Sequence, residues 1–228
     1  MKFDTLTLKD CASASGAVVV IDVLRAYTTA AYAFAAGATE ILLVKTVEQA
    51  FSWRARDPQF LLMGEVGGEP IEGFDFSNSP AEIAAQNLLG RRLVQRTSSG
   101  TQGAVCSRDA SPLLAASFCV AQATIRYLQK HDPSKVTFIV TGVNEDGLGE
   151  EDQACAEYLE ACLQGDCPDP QPFLNRVKNS LNGRKFADPQ HPVFPYADLQ
   201  YSLRLDNFQF AMPIQNRGNA LVMTAEPV

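Results

Sequence analysis

Two acidic side chains directly follow apolar segments of this chain. Asp22 ends the apolar run 16–21, and Arg25 lies three residues further on. Glu65 follows a second apolar segment, 60–63, after one glycine. Carboxylates can hold a divalent cation or exchange protons, and an arginine can neutralise an anionic substrate. We therefore expect chemistry on a small anion where these two segments end.

A third segment, 96–103, combines one cation with four hydroxyl groups and two glycines. These residues are Arg96, Thr97, Ser98, Ser99, Gly100, Thr101 and Gly103. Backbone N–H groups and hydroxyls at the start of a helix can converge on an oxyanion, so this segment is a candidate phosphate-binding loop. It lacks the lysine and the glycine spacing of a P-loop, and by composition alone it could equally be an ordinary polar turn.

Glu151 and Asp152 lie in the first turn of a predicted helix, 150–163. At about 100° per residue, their side chains lie near the apolar stripe of that helix. Acids in a first turn usually complement the helix dipole, but acids that face the core need a partner. A divalent cation or an arginine would serve, and oxygen ligands favour magnesium over softer metals.

The positions of these residues depend on strands and helices that alternate along the chain. The run 16–21 has no polar alternation, which indicates a strand covered on both faces, as in a parallel sheet between helical layers. We predict an α/β fold with three layers, α/β/α, and a mostly parallel sheet, followed by a proline-rich segment and two closing strands. Further strands are predicted at 41–44, 60–63, 93–97, 135–140, 208–212 and 220–224, and helices at 28–36, 46–53, from 79 onward, at 119–130 and at 150–163.

In such a sheet the polar residues at the strand ends would share one edge. Asp22, Glu65 and Thr141 each follow a predicted strand, and Thr97 ends one. Open α/β sheets bind ligands at the carboxyl ends of their strands, so this edge is the predicted active site.

Length and composition set limits on the fold. With 228 residues, of which 46% are hydrophobic, the chain can form one domain over 1–228 or two intimately packed lobes. Six prolines break the segment 165–195, which is predicted to be an irregular cap or insertion with room for one short helix around 173–180.

Charge, hydropathy and cysteine spacing exclude several classes of protein. A formal net charge of −7 argues against nucleic-acid binding, which relies on cationic contacts with phosphates. No apolar segment approaches the roughly 20 residues that span a bilayer, and the N-terminus lacks a signal-peptide pattern, so we expect a cytoplasmic protein without membrane contact. The six cysteines include no Cys-x-x-Cys pair and are predicted to be buried free thiols.

Several motifs occur together in an order that resembles the 2-phosphosulfolactate phosphatase family. They are Val20-Ile21-Asp22-Val23-Leu24-Arg25-Ala26, Gly64-Glu65, Ile71-Glu72-Gly73-Phe74-Asp75, Asn78-Ser79-Pro80, Thr97-Ser98-Ser99-Gly100-Thr101 and Glu151-Asp152. The match extends over nearly the whole chain and fades only between 165 and 195. The resemblance implies a magnesium-dependent α/β enzyme that hydrolyses the phosphate monoester of a sulfonated 2-hydroxy acid on the route to coenzyme M.

The resemblance and the residue types together suggest roles within the site. The predicted catalytic residues are Asp22, Arg25 and Glu151. The residues predicted to bind the small anionic phosphorylated substrate are Asn78, Arg96, Thr97, Ser98, Ser99, Gly100 and Thr101. The predicted Mg²⁺ ligands are Asp22, Glu65 and Asp152, with Glu151 or Asp75 as alternatives. The ion would polarise the phosphoryl oxygen and position a water for in-line attack, while an aspartyl-phosphate on Asp22 stays open.

The chain departs from the family pattern at three places. A cysteine that the family often has at the end of a late strand is absent from Val140-Thr141-Gly142, which excludes a thiol nucleophile there. The family's threonine-threonine-asparagine-glycine-threonine pattern appears as Thr97-Ser98-Ser99-Gly100-Thr101, and Tyr27 replaces a frequent threonine. Because these changes border the expected anion pocket, the chemistry can persist on a different substrate.

Two other functions therefore stay open. The first is a magnesium phosphatase for another small phosphorylated acid, such as a phospholactate or a phosphoglycerate. The second is a non-catalytic protein that binds anions in the same pocket. A homodimer is the default assembly for an enzyme of this size.

Overall fold

The structure, a computed structural model, describes residues 1–142, 149–166 and 168–228. The strands are β1 (Lys2–Thr7), β2 (Ala17–Ile21), β3 (Glu40–Leu43), β4 (Leu61–Val66), β5 (Glu69–Pro70), β6 (Arg92–Arg96), β7 (Leu113–Ala116), β8 (Lys135–Val140), β9 (Phe210–Arg217), β10 (Ala220–Met223) and β11 (Glu226–Pro227). The helices are α1 (Ala26–Ala35), α2 (Val47–Arg56), α3 (Pro80–Ala84), α4 (Gly100–Cys106), α5 (Ala121–His131), α6 (Glu150–Gln164), α7 (Gln171–Asn179), α8 (Leu181–Lys185) and α9 (Tyr196–Ser202). None of these described helices is long and apolar enough to cross a bilayer.

One large mixed sheet contains two parallel sets of strands. The first set has the order β1-β8-β2-β7, and the second has the order β3-β6-β4. The C-terminal strands β9 and β10 lie between the two sets and are antiparallel to each other and to the strands beside them. The predicted α/β fold with a mostly parallel sheet and two closing strands is therefore confirmed.

The site strands do not, however, share the single parallel edge that the sequence predicts. Three successive antiparallel pairings separate β7 from β3, so the two parallel sets run in opposite directions along the sheet. The segment after β6 nevertheless lies against the segment after β2, where the Tyr27 hydroxyl donates to the Gly100 carbonyl oxygen at 2.7 Å.

Strand β2 is covered on both faces, as its unbroken apolar run predicts. Val18 and Val20 pack in one core with residues of α1 and α4, whereas Val19 and Ile21 pack in another with residues of α5 and α6. The central strand therefore lies between two helical layers. Because both faces of β2 are buried, the next residue, Asp22, leaves the sheet at a fixed position.

Local capping signals also agree with the structure. Helix α2 begins with a capping box, in which Thr46 accepts a hydrogen bond from the Gln49 N–H and the Gln49 side chain accepts one from the Thr46 N–H. Ser79 caps α3, whose first residue is Pro80. These contacts join residues three positions apart, so the sequence is sufficient to predict them.

Strands β1 and β7 were not expected from the sequence. β1 has two apolar residues, Phe3 and Leu6, at a spacing of three instead of the alternation of a half-buried strand, and it lies at the edge of the sheet, where half of its residues are exposed. β7 has only four residues, two of which are alanines with low strand propensity. It is a strand because it pairs with β2 on one side and β9 on the other.

The proline-rich segment 165–195 contains two helices rather than one. α7 covers most of the predicted helix, and α8 begins after Ser180, whose hydroxyl accepts a hydrogen bond from the Gly183 N–H at 2.9 Å. The rings of Tyr158 in α6 and Phe173 in α7 pack edge to face, with their centroids 5.5 Å apart. This contact holds α7 against α6 and places α8 near the strand ends.

The prediction of free thiols is wrong for two cysteines. Cys11 and Cys106 form a disulfide that joins the turn after β1 to the end of α4. Because 95 residues separate them along the chain, their spacing gives no local signal of pairing. Cys119 and Cys155 are buried free thiols as predicted, Cys162 is partly exposed, and Cys167 lies outside the described residues.

Strands β4 and β6 approach each other closely at Gly64, and the substitution Gly64→Ala tests whether that approach requires glycine. At its φ of +146°, a Cβ atom would lie 1.9 Å from the Arg96 carbonyl oxygen. We expect Gly64→Ala to lower the free energy of unfolding by about 3 kcal/mol or more, because steric overlap adds to the cost of a left-handed backbone. Gly90→Ala is the matched control, since Gly90 has a φ of +71° and open space around it. This substitution should lower the free energy of unfolding by only about 1–2 kcal/mol. Equal losses in chemical denaturation would contradict this steric explanation.

Candidate active site

Most of the predicted site residues line one pocket of about 460 Å³. It lies where β2, β4 and β8 end and where α6 begins. The predicted residues that line it are Asp22, Arg25, Glu65, Asn78, Ser98, Ser99, Glu151 and Asp152. The structure therefore brings the acids and the arginine together although they come from distant parts of the chain.

Asp22 lies between the first turns of α1 and α4. Its carboxylate accepts a hydrogen bond from the Ala26 N–H at 2.9 Å, and the Gly100 N–H also stabilises its charge. The pKa of Asp22 is nevertheless raised to about 6, first by burial and then by the charges of Glu65 and Glu151. A Cβ on Gly100 would lie 2.9 Å from the Asp22 carboxylate, so the contact needs glycine there.

Glu65 holds two loops at another side of the pocket. Its carboxylate accepts hydrogen bonds from the Gly68 N–H at 2.6 Å and from the Ser98 N–H at 2.5 Å. The Ser98 hydroxyl donates to the same carboxylate at 3.1 Å. Glu65 therefore joins the turn after β4 to the segment between β6 and α4.

Asp152 is satisfied by backbone N–H groups. It accepts hydrogen bonds from the N–H groups of Val23 at 2.8 Å, Thr141 at 3.1 Å and Gly142 at 2.8 Å. These groups are the partner that the buried acid needs, in place of the cation or arginine suggested by the sequence. Burial raises the pKa of Asp152 well above its usual range, and the charge of Asp22 raises it further. Asp152 thereby joins the ends of β2 and β8 to α6 and has little capacity left for a metal ion.

Glu151 differs from its neighbour in having one protein donor. The Asn182 side-chain amide donates to its Oε1 at 2.6 Å. Its second oxygen accepts no hydrogen bond from the described residues, although the side chain is 2% exposed. Glu151 therefore retains a carboxylate oxygen for an ion or a proton.

The threonines of the predicted phosphate-binding loop build the start of α4 instead of lining the pocket. Thr97 Oγ1 accepts a hydrogen bond from the Thr101 N–H at 3.0 Å, and the Thr101 hydroxyl donates to the Thr97 carbonyl oxygen at 2.9 Å. Arg96 donates to the Glu65 carbonyl oxygen at 2.6 Å. The loop therefore presents two serines, Ser98 and Ser99, to the pocket, and its other side chains support the backbone.

Arg25 lies in the pocket with its charge already paired. Its Nη1 forms a buried ion pair with Asp198 at 2.8 Å, and its Nη2 donates to the Gly68 carbonyl oxygen at 3.3 Å. The guanidinium carbon lies 5.4 Å from the ring centroid of Phe186 and 5.1 Å from that of Phe194. Its Nη1 also donates to the Val193 carbonyl oxygen at 3.1 Å, so three of its five N–H groups have partners among the described residues. The Nε–H and one Nη2–H have none and are left for an anion.

Asn78 carries a buried amide oxygen that has no hydrogen-bond partner among the described residues. The side chain is 5% exposed and lines the pocket. Because a buried carbonyl oxygen without a partner is costly, this atom indicates that a ligand or a cation completes the site.

Asn182, Lys185 and Phe194 also line the pocket and were missed by the sequence analysis. All three lie within the proline-rich segment 165–195, where neither periodicity nor a motif indicates a site. Asp75, the alternative metal ligand, lies elsewhere and pairs with Arg54 at 3.1 Å. Asn182 and Lys185 lie in α8, so this helix forms part of the pocket wall.

The described acids do not form a closed metal cage, because no three carboxylate, histidine or cysteine side chains among them surround one point. Magnesium is usually held by one or two carboxylates, with waters and substrate phosphate oxygens completing its shell. Asp22 and Glu151 meet that requirement, and the unpaired Asn78 oxygen lies in the same pocket. Repulsion between buried acids is also what a divalent cation relieves. These residues therefore fit magnesium bound together with a phosphate.

The fold and the pocket define an α/β protein with buried acids and an arginine gathered in one pocket at the strand ends. Residues 4–216 match the profile of the 2-phosphosulpholactate phosphatase family. The chain belongs to this family of phosphatases, as its motifs suggested.

Relatives in three bacteria carry the name "probable 2-phosphosulfolactate phosphatase". The relative in Bacillus subtilis is 34% identical over 201 residues, which cover 88% of this chain and 87% of the relative. The relative in Caldicellulosiruptor saccharolyticus is 31% identical over 206 residues, which cover 82% and 84%. That in Deinococcus radiodurans is 38% identical over 147 residues, which cover 63% and 61%.

Glu151→Gln tests the repulsion between the acids. The pKa of Asp22 should fall below about 6, because one charge that opposes its ionisation is removed. In the wild type, the folded state binds the Asp22 proton more tightly than the unfolded state, so stability is lost as pH rises from 3.8 to about 6. With chelator present, Glu151→Gln should lose less stability over this range and melt higher than the wild type above about pH 6.

Glu150→Gln is the control, because Glu150 is an exposed acid on the same helix. Thermal unfolding of the wild type and both variants should be followed from about pH 4 to about pH 8. Identical pH dependence in the two variants would show that Glu151 does not repel Asp22.

Asp198→Asn tests the buried ion pair. Without Asp198, Arg25 would keep its charge in a buried position, which costs about 3–5 kcal/mol in comparable proteins. Asp75→Asn is the matched control, since its pair with Arg54 is partly exposed and should contribute at most about 1 kcal/mol. Equal losses in the free energy of unfolding from denaturant titrations would argue against a structural role for the buried pair.

Proposed function

We propose that this chain is a magnesium-dependent phosphatase that converts 2-phosphosulfolactate to sulfolactate and phosphate. The observation that carries the proposal is the acidic pocket of Asp22, Glu65 and Glu151, with Arg25 in its wall, in a chain that belongs to this family. The names of the relatives support the substrate, and the oxygen donors of the pocket support the metal.

Each residue has a defined task in this proposal. Asp22 and Glu151 would hold magnesium, which would polarise a phosphoryl oxygen and lower the pKa of a water. The free Nε–H of Arg25 donates to the phosphate and offsets charge on the transferring group. The attacking water gives up one proton to solvent as its oxygen bonds to phosphorus. The bond from phosphorus to the ester oxygen breaks, and that oxygen leaves as the hydroxyl of sulfolactate after it takes up a proton.

Attack by water fits Asp22 better than an aspartyl-phosphate intermediate does. Its carboxylate is held by the N–H groups of Ala26 and Gly100 at two helix starts. A nucleophilic role would require it to give up part of that support. We therefore assign Asp22 to the metal and the orientation of the phosphate.

Phosphate release from 2-phosphosulfolactate is the direct test. The wild type should turn over this ester with magnesium, while chelator or Asp22→Asn should each lower kcat by about a hundredfold or more, because both remove charge stabilisation from the transferring phosphate. Asp75→Asn is the control, since Asp75 lies outside the pocket and its loss should leave kcat unchanged.

A panel of esters separates the other functions. Phosphate release from 2-phospholactate or phosphoglycerate alone would retain the site and change the substrate. Full activity in chelator would refute the role of magnesium. A folded wild type that releases phosphate from no ester would refute the phosphatase proposal and favour a non-catalytic protein that binds anions.

A further inference from the structure

Helix α8 brings a cation to the pocket through a short chain of hydrogen bonds. Lys185 Nζ donates to the Asn182 side-chain oxygen at 3.0 Å. The Asn182 amide in turn donates to Glu151 Oε1 at 2.6 Å. The ammonium group also lies 6.0 Å from the ring centroid of Phe194. These contacts hold Lys185 on the pocket wall although its side chain is exposed.

The two cations of the pocket wall differ in their charge partners. Arg25 is neutralised by Asp198 in a fully buried pair. Lys185 forms no ion pair with a carboxylate among the described residues, and its one described hydrogen bond goes to a neutral amide. Lys185 therefore keeps a full charge for an anion that enters from solvent.

We propose that Lys185 binds a second acidic group of the substrate, a sulfonate or a carboxylate, while the phosphate lies at Asp22 and Arg25. This inference rests on the proposed function. It makes Lys185 a specificity residue that selects phosphate esters carrying a further acid over esters that carry none. The Asn182 contact ties this cation to Glu151, so the helix that carries it is held at the acidic end of the pocket.

Arg184 offers a matched control on the same helix. It is exposed like Lys185, but it does not line the pocket. Lys185→Met and Arg184→Met remove the same charge from neighbouring positions, and Lys185→Arg retains the charge. A thermal unfolding curve for each variant establishes that it is folded.

Kinetics should be measured with 2-phosphosulfolactate, 2-phospholactate and isopropyl phosphate. We expect Lys185→Met to raise KM for 2-phosphosulfolactate about two- to fivefold, the range for loss of one exposed charged contact, with little change in kcat. The effect should vanish on isopropyl phosphate, which has no second acid, and Lys185→Arg should restore KM. 2-Phospholactate carries a carboxylate but no sulfonate. If Lys185→Met also raises KM for this ester, Lys185 binds the carboxylate; if KM for this ester is unchanged, Lys185 binds the sulfonate.

Titration calorimetry with sulfolactate separates this inference from the proposed function. Weaker binding to Lys185→Met than to Arg184→Met would support the inference even if the wild type hydrolysed no ester, which would refute the phosphatase proposal alone. If Lys185→Met and Arg184→Met bound sulfolactate equally and had equal KM values for every ester that is turned over, the role of Lys185 would be refuted.

Discussion

Several carboxylates are buried at one place in this fold, and the surrounding structure follows from the need to satisfy them. Asp22, Glu65 and Asp152 each accept backbone N–H hydrogen bonds from segments that follow a strand. Because a buried carboxylate without donors is costly, each acid also fixes the backbone that supplies its donors. The first turns of α1 and α4, the end of β8 and the turn after β4 are positioned in this way.

The same contacts make one site from a sheet that is divided in two. The C-terminal strands β9 and β10 separate the parallel sets. Within the first set, Asp152 joins β2 to β8. Between the sets, Asp22 lies against Gly100, and Arg25 extends the connection to Asp198 in α9. The pocket is the junction of all these parts.

The charge balance of the pocket connects its structure with the proposed chemistry. Arg25 has its charge neutralised by Asp198, so the acids are not offset by a free arginine. A phosphorylated acid would be repelled by such a pocket, and a divalent cation held by Asp22 and Glu151 would reverse that repulsion. The raised pKa of Asp22 has the same origin, since burial and neighbouring charges oppose its ionisation.

The sequence by itself determined the alternation of strands and helices, the covered strand β2, the caps of α2 and α3, and the acids at the element ends. These features depend on residues close together in the chain, where hydrophobic periodicity and capping give a direct signal. Only the tertiary structure decided that the sheet divides, that Cys11 pairs with Cys106, and that Lys185 enters the pocket. These outcomes depend on contacts between residues that are far apart in the chain, and the local spacing of residue types does not predict such contacts.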